Sequence, residues 1–374
     1  MSTHDLVPVP VPAGSAEIPG LAAAMDGSGP ALLLVPPGPE GARMVGALAS
    51  VASRGVPNGT AVVVATSGST GTPKGVRLSA RALRHSARAT QEFLGGPGQW
   101  LLAMSAARIA GLQVVLRSRA AGIEPAVLDT SGGFRPEAFV AAVAAMTGER
   151  RYVSLVPTQL IRLLDAGIDL ADLDAILLGG GPIPAGLVDR AAVVGAHVVR
   201  TYGMTETCGG CVYDGVPLEK VGLRITDDGL VAITGPVLAR GYLGGPDFGG
   251  EFVSSDLGRL DEAGVLTVLG RADDVILSGG VNVAAQSVEQ VLAGHPAVAE
   301  VVVVGRPDPE WGEAVVAVVI PAGAVRLTDL RELAAEALGK AWAPRALVTV
   351  EAFPSLPSGK VDRDALRALV RDAE

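Results

Sequence analysis

Along the chain, short runs of apolar and β-branched residues alternate with longer stretches whose apolar positions repeat at helical spacing, and glycine or proline marks most junctions. Ala61-Val62-Val63-Val64-Ala65 reads as a buried strand feeding a loop. Residues 79 to about 94 read as a helix capped by Ser79 and stopped by Gly95-Gly96-Pro97-Gly98. A second buried-strand pattern covers residues 100–104 and leads into an apolar helical segment over 109–118. The alternation continues through strands at 151–158, 175–178 and 196–200, which predicts an α/β fold with ligands beyond the carboxyl ends of the strands. Residues 1 to about 60 carry Pro- and Gly-rich punctuation around one short strand, 31–35, and show no chemistry. From about 221 to 271, short strands split by Asp-Asp-Gly and Gly-Gly turns predict a small barrel or all-β subdomain. Beyond it, a βαβ-like pattern (helix 284–292, strands 298–304 and 314–320, helix 327–338) predicts a separate small α+β domain.

At 374 residues the chain is long for one core, so two or three domains are expected. Hydrophobic residues make up 49% and aromatics only 3%, so aliphatic side chains must fill those cores. A net charge of −9 argues against a nucleic-acid or anionic-membrane surface and leaves small anions to be held by specific groups. Residues 1–14 lack the basic segment and apolar core of a signal peptide, and no apolar run reaches the roughly 18 residues of a membrane span, so a soluble cytoplasmic protein is expected. Cys208 and Cys211 form a lone Cys-Gly-Gly-Cys with no second pair and no nearby histidine; they read as reduced bystanders, not zinc ligands.

The stretch from Thr66 to Val76 is the leading candidate for chemistry. Gly68 and Gly71 let backbone approach an anion, Ser67, Ser69, Thr70 and Thr72 offer hydroxyl donors, and Lys74 adds a charge. A Walker loop would need Ser or Thr after its lysine and then a helix, whereas Gly75 and an extended Val76-Arg77-Leu78 follow here. Gln113 and Arg117 lie one helical turn apart on an apolar helix, which suits either a pocket or, for Arg117 and Arg119, a helix C-terminus ahead of Gly122. Thr158, at the end of its strand, is grouped with them as a candidate pocket contact. Gly179, Gly180 and Gly181 end another strand, where a flat base could lie. Thr201 to Thr207 then offers an aromatic that can stack on a purine (Tyr202), a close-approach glycine (Gly203), a hydroxyl donor (Thr205) and a carboxylate suited to Mg²⁺ (Glu206). Asp256 has two acceptor oxygens that suit a diol, although as a lone Asp-Leu-Gly it would be only a turn.

Taken whole, TSGSTGTPKGV resembles the phosphate loop of the acyl-adenylate-forming superfamily, which includes acyl-CoA ligases, luciferases and peptide-synthetase adenylation domains. Tyr202 to Glu206 matches that family's YGxTE motif, and Gly241-Tyr242 and Ser254-Ser255-Asp256 recur at the expected places. The resemblance implies that Tyr202 lies against adenine, Thr205 meets the α-phosphate and Glu206 ligates magnesium. It further implies ribose contacts from Asp256 and Arg271, a hinge at Asp273, a CoA channel at Gly279 and Gly280, and a catalytic lysine at Lys360. A division follows between a large N-terminal domain, 1–271, and a smaller mobile domain, 272–374. Five motifs in the family's order cover about residues 60 to 365. The short N-terminal part, with LLGGGPIP, VVRTYGMTETCGGCVYDG and IAGLQVVLRS, resembles the actinobacterial o-succinylbenzoate–CoA ligases of menaquinone biosynthesis. Arg108 departs from them, standing where those ligases carry an acyl-pocket histidine.

The activity so implied is AMP-forming acid–thiol ligation, with ATP, Mg²⁺, CoA and a carboxylic acid as the small-molecule partners; a homodimer is compatible with it. Two other readings stay open. One is an adenylating enzyme for a different acid or for a carrier-protein thiol, and the other is a non-catalytic nucleotide-binding relic.

Overall fold

The protein is described by a computed structural model over residues 3–53, 55–67, 73–354 and 361–371. Two sheets carry the large N-terminal part. The first runs Val216–Pro217, Gly209–Tyr213, Val198–Met204, Ala175–Leu178, Arg151–Leu155, Gln99–Leu102, Ala126–Val127 in spatial order; its strands from Val198–Met204 onward are parallel. In the second, Leu6–Pro10, Ala31–Val35 and Val62–Ser67 are parallel, and Pro73–Leu78 and Gly241–Tyr242 add antiparallel.

Two-residue periodicity decides what each face packs against. Leu32, Leu34, Val62 and Val64 face a core shared with Trp100, Leu102 and Leu177 of the other sheet, and with the helices Ala80–Phe93 and Ile109–Ala121. The alternate positions Ala31, Leu33 and Val35 pack on Met44 and Leu48 of the helix Gly38–Ala52. On the far face of the first sheet, Leu101, Val153, Leu155, Ile176 and Leu178 meet Phe139, Leu160, Leu163 and Leu187 of three further helices. Strands buried on both faces in this way need continuous apolar runs, which is the pattern the sequence shows.

Ser79 caps its helix as expected, accepting from the Ala82 amide at 3.1 Å. The strand-and-turn stretch takes the form of a four-stranded antiparallel sheet: Gly222–Ile225, Leu230–Thr234, Glu251–Leu260, Leu266–Arg271. Further on, a sheet of Val281–Ala284, Val275–Ser278, Gly312–Pro321, Val298–Asp308 and Ala346–Thr349 is covered on one face by Ala285–Leu292 and Leu327–Leu338, and on the other by Arg363–Arg371. Among the described residues, no helix is long and apolar enough to cross a membrane.

Candidate active site

The described ends of the candidate phosphate stretch lie on the antiparallel strands Val62–Ser67 and Pro73–Leu78. Thr66 pairs with Lys74 and Ser67 with Pro73 across antiparallel strands, and the Thr66 hydroxyl donates to the Lys74 carbonyl at 3.3 Å. Gly68, Ser69, Thr70, Gly71 and Thr72 lie outside the described residues. The Lys74 ammonium sits 5.7 Å from the centroid of the Tyr242 ring, and the Tyr242 hydroxyl donates to Glu206 Oε1 at 2.8 Å. Burial, reinforced by the Glu206 carboxylate, pushes the Tyr242 phenol up, so it stays a protonated donor. Glu206 belongs to a single 3₁₀ turn, Thr205–Thr207, in which Thr205 is buried. Thr207 Oγ1 fixes that turn by accepting from the Met204 amide at 2.9 Å and donating to the Gly209 carbonyl at 2.7 Å.

A second group forms where two strand ends meet the four-stranded sheet. The Tyr202 hydroxyl donates to Asp256 Oδ2 at 2.8 Å, and the Asp256 amide donates to Ser254 Oγ at 3.1 Å. Burial, then the Asp256 carboxylate, pushes the Tyr202 phenol up. Asp256 lies opposite Arg271 in register, with Oδ1 3.7 Å from Arg271 Nη1. Arg271 also forks onto both oxygens of Asp273, each at 2.9 Å, which holds that carboxyl below its ordinary range. Glycines allow the approach: a Cβ at Gly203 would run into the Gly209 carbonyl, and one at Gly179 into the Thr201 hydroxyl. Gly180 follows in the left-handed region at φ 79°, and Gly181 has open space around it.

The candidate acyl contacts divide. Gln113 and Arg117 share a face of the helix Ile109–Ala121 and are 1% and 3% exposed. The Gln113 amide nitrogen donates to the Cys208 carbonyl at 2.8 Å, leaving its oxygen without a partner. The Arg117 guanidinium lies 4.7 Å from the Trp100 ring centroid and donates to the Tyr213 hydroxyl at 3.3 Å, while its Nε has no partner. Among the described residues, no carboxylate forms an ion pair with it. Arg108 sits elsewhere, at the start of that helix, bound to Glu40 Oε1 at 2.7 Å and to the Ala65 carbonyl at 3.1 Å. It thus tethers the strand that enters the phosphate stretch. Thr158 is exposed in the first turn of the helix Pro157–Asp165.

Gly279 and Gly280 form a two-residue turn between Val275–Ser278 and Val281–Ala284, both left-handed, at φ 60° and 78°. A Cβ on Gly279 would press on the Trp311 ring, whereas Gly280 has nothing within 4 Å. Backbone geometry alone therefore calls for glycine here. Lys360 lies outside the described residues. Cys208 and Cys211 are free and buried, and burial pushes the Cys211 thiol up to about 12.

Among the described residues, no cluster of three His, Cys, Asp or Glu could hold a metal. Glu206 alone, with Oε1 engaged by Tyr242, fits a magnesium ion that arrives on phosphates, because Mg²⁺ is commonly held by one or two carboxylates plus substrate oxygens. Tyr242 and Arg77 are the neighbours that sequence reasoning left without a role. The signal was faint: one charged residue inside an apolar strand, and a Gly-Tyr pair with no visible neighbour.

Residues 40–243 match the AMP-binding enzyme family, and residues 287–360 match the AMP-binding enzyme C-terminal domain. A probable 2-succinylbenzoate–CoA ligase of Mycobacterium tuberculosis is 46% identical over 372 residues, covering 95% of this chain and 96% of that one. The o-succinylbenzoate CoA synthetase of Bacillus subtilis, solved with the acyl-adenylate OSB-AMP, superposes with a TM-score of 0.74 at 30% identity over 84% of this chain and 69% of that one. Its complex with ATP and magnesium ion gives 0.72 at 29% over 84% and 70%. An amide bond synthetase of Marinactinospora thermotolerans gives 0.83 at 26%, over 99% and 90%.

Proposed function

Because the chain belongs to the AMP-binding enzyme family, we propose that it is a 2-succinylbenzoate–CoA ligase of menaquinone biosynthesis, using ATP, Mg²⁺ and CoA. The observation that carries this is the near full-length match to the mycobacterial ligase, 46% identical over 95% of the chain. In the first half-reaction, the succinyl carboxylate attacks the α-phosphorus of ATP and the bond to the pyrophosphate oxygen breaks. The stretch 66–74 holds the phosphates, Thr205 donates to the α-phosphoryl group, and Lys360 offsets charge developing there. Tyr202, with Gly180 and Gly181, packs on adenine, and Asp256 and Arg271 hold the ribose hydroxyls. When bound, magnesium supplies charge neutralisation between Glu206 and the phosphate oxygens.

In the second half-reaction, the CoA sulfur attacks the acyl carbon, AMP leaves and the thiol proton passes to solvent. We divide the chain at 271/272 and assign Asp273 as the hinge on which the C-terminal domain turns between the two steps, bringing the Gly279-Gly280 turn to the thiol. Arg117 faces the ring carboxylate left ionised in the substrate, with Gln113, Arg108 and Thr158 as the other acyl-side candidates. The reaction belongs in the cytoplasm, where ATP and CoA are supplied, and is compatible with a homodimer.

Pyrophosphate release over a panel of acids, with and without CoA, tests the reading. Release with o-succinylbenzoate, and CoA thioester formed only when CoA is present, is the expected result. Selective release with a different aryl acid would move the assignment to that acid. A product formed with amines but not with CoA would favour chemistry like that of the amide bond synthetase.

A further inference from the structure

Tyr242 stands on a strand of two residues, too short to hold a side chain by its own ladder. Gly241 pairs with Arg77 and Tyr242 with Val76, so this strand forms the sheet edge beside Pro73–Leu78. What fixes it is Arg77, 1% exposed within that neighbouring strand. Its Nε donates to the Tyr242 carbonyl at 2.9 Å, its Nη2 donates to the carbonyls of Gly245 and Pro246 at 3.0 and 3.1 Å, and Asp247 Oδ1 lies 3.0 Å away. Asp247 is held in turn by Arg240 at 2.8 Å. A Cβ at Gly241 would collide with the Pro246 carbonyl, so the turn closes this tightly only on glycine. Phe248 then meets the Tyr242 ring edge-on, at 5.2 Å between centroids and 82° between planes.

A buried guanidinium, costly to desolvate, is thus spent on gripping the carbonyl of one tyrosine and two carbonyls of the turn that follows it. The product of that grip is a hydroxyl 2.8 Å from Glu206 Oε1, linking the strand that bears Lys74 to the turn that bears Glu206. We propose that Tyr242, clamped by Arg77, is a positioning residue for Glu206: it fixes one carboxylate oxygen and leaves Oε2 in a set orientation for the cation that accompanies the nucleotide. This rests on the assignment of Glu206 to magnesium made above. Partners that orient a metal ligand commonly govern metal affinity by about 10- to 100-fold.

The test is Mn²⁺ binding to the full chain with a non-hydrolysable ATP analogue, read from the free-ion electron paramagnetic resonance signal. Wild type, Tyr242→Phe and Glu206→Gln are compared, with metal-free AMP binding measured alongside. Phenylalanine keeps the ring for Lys74 and Phe248 and removes only the hydroxyl. The expected result is an Mn²⁺ dissociation constant raised about tenfold or more in Tyr242→Phe, with AMP binding unchanged. If Glu206→Gln weakens Mn²⁺ and Tyr242→Phe does not, the positioning role is refuted while the metal role of Glu206 stands. If neither weakens it, Glu206 is not the metal carboxylate and both assignments fall. Equal weakening of metal-free AMP binding in Tyr242→Phe would make the tyrosine structural only, and would also overturn the proposal.

Discussion

Arg117 gives the sharpest prediction, because among the described residues its charge is buried without a carboxylate beside it. Its surroundings in the described structure are the Tyr213 hydroxyl at 3.3 Å and the face of Trp100 at 4.7 Å, with Nε unpartnered. Activating the succinyl carboxylate of o-succinylbenzoate leaves a second carboxylate ionised, and that anion supplies what the guanidinium lacks. Replacing Arg117 by Met therefore acts in opposite directions on free enzyme and on substrate recognition. Losing a charged hydrogen bond costs roughly 1.5–3 kcal/mol, hence about 10- to more than 100-fold in kcat/KM with o-succinylbenzoate. In the free enzyme, removing a buried charge that has no ion-pair partner relieves its desolvation cost, which opposes the about 0.5–2 kcal/mol of cation–π attraction lost. Arg117→Met should accordingly lose efficiency without a lower Tm, Arg117→Lys should lose less, and an acid lacking the second carboxylate should show little change. Steady-state pyrophosphate release and thermal unfolding of the free enzyme measure both sides. A lowered Tm with unchanged kcat/KM would refute the reasoning and make Arg117 a core residue serving Trp100 and Tyr213. Arg108 is the rival, but it must first give up Glu40, 2.7 Å away.

Two further outcomes follow from the C-terminal part. Because Gly280 is left-handed with nothing within 4 Å, Gly280→Asn, which that backbone tolerates, should leave pyrophosphate release intact and slow thioester formation by about tenfold to 10²-fold; equal slowing of both would deny the turn a role specific to CoA. Arg363 binds both oxygens of Glu289, at 2.7 and 2.9 Å, so Arg363→Ala should cost about 3 kcal/mol in urea unfolding by leaving a largely buried carboxylate without its cation and with only the Val303 amide, with part recovered by adding Glu289→Gln. Burial already raises the Glu289 pKa despite Arg363. A carboxyl raised on folding destabilises above its unfolded pKa, so the deficit of Arg363→Ala should shrink as pH falls into the acid range; a deficit that grows in acid would contradict this.

The interior strands were legible because burial on both faces calls for apolar runs: 62–65 and 175–178 supply unbroken ones, and 151–155 supplies one interrupted by Ser154. The N-terminal part was not. Pro36-Pro37-Gly38-Pro39 reads as punctuation, yet Pro37 is the extended residue just before the helix Gly38–Ala52 and Pro39 sits in its first turn, where a missing amide costs nothing. Pro8 and Pro10 likewise look incompatible with a strand, but Leu6–Pro10 is an edge strand whose outer side needs no donors.

Motifs such as Thr66–Val76 and Tyr202–Glu206 stand out in the sequence because their candidate residues are contiguous. Tyr242 acts on Glu206 across 36 positions and Arg77 on Tyr242 across 165, and no local pattern carries such pairings. The two buried arginines show what only the structure separates. In the sequence each is one charge in an apolar run, and in the structure each leaves one nitrogen unpaired, Nη1 in Arg77 and Nε in Arg117. Arg77, however, has Asp247 at 3.0 Å and three backbone carbonyls, so its charge is balanced before any ligand arrives. Arg117 has a hydroxyl and an aromatic face, neither of which cancels a full charge. An anion delivered by a substrate completes the second environment and adds nothing to the first. That difference makes Arg77 a scaffold residue and leaves Arg117 the buried charge that the proposed dicarboxylate substrate would balance.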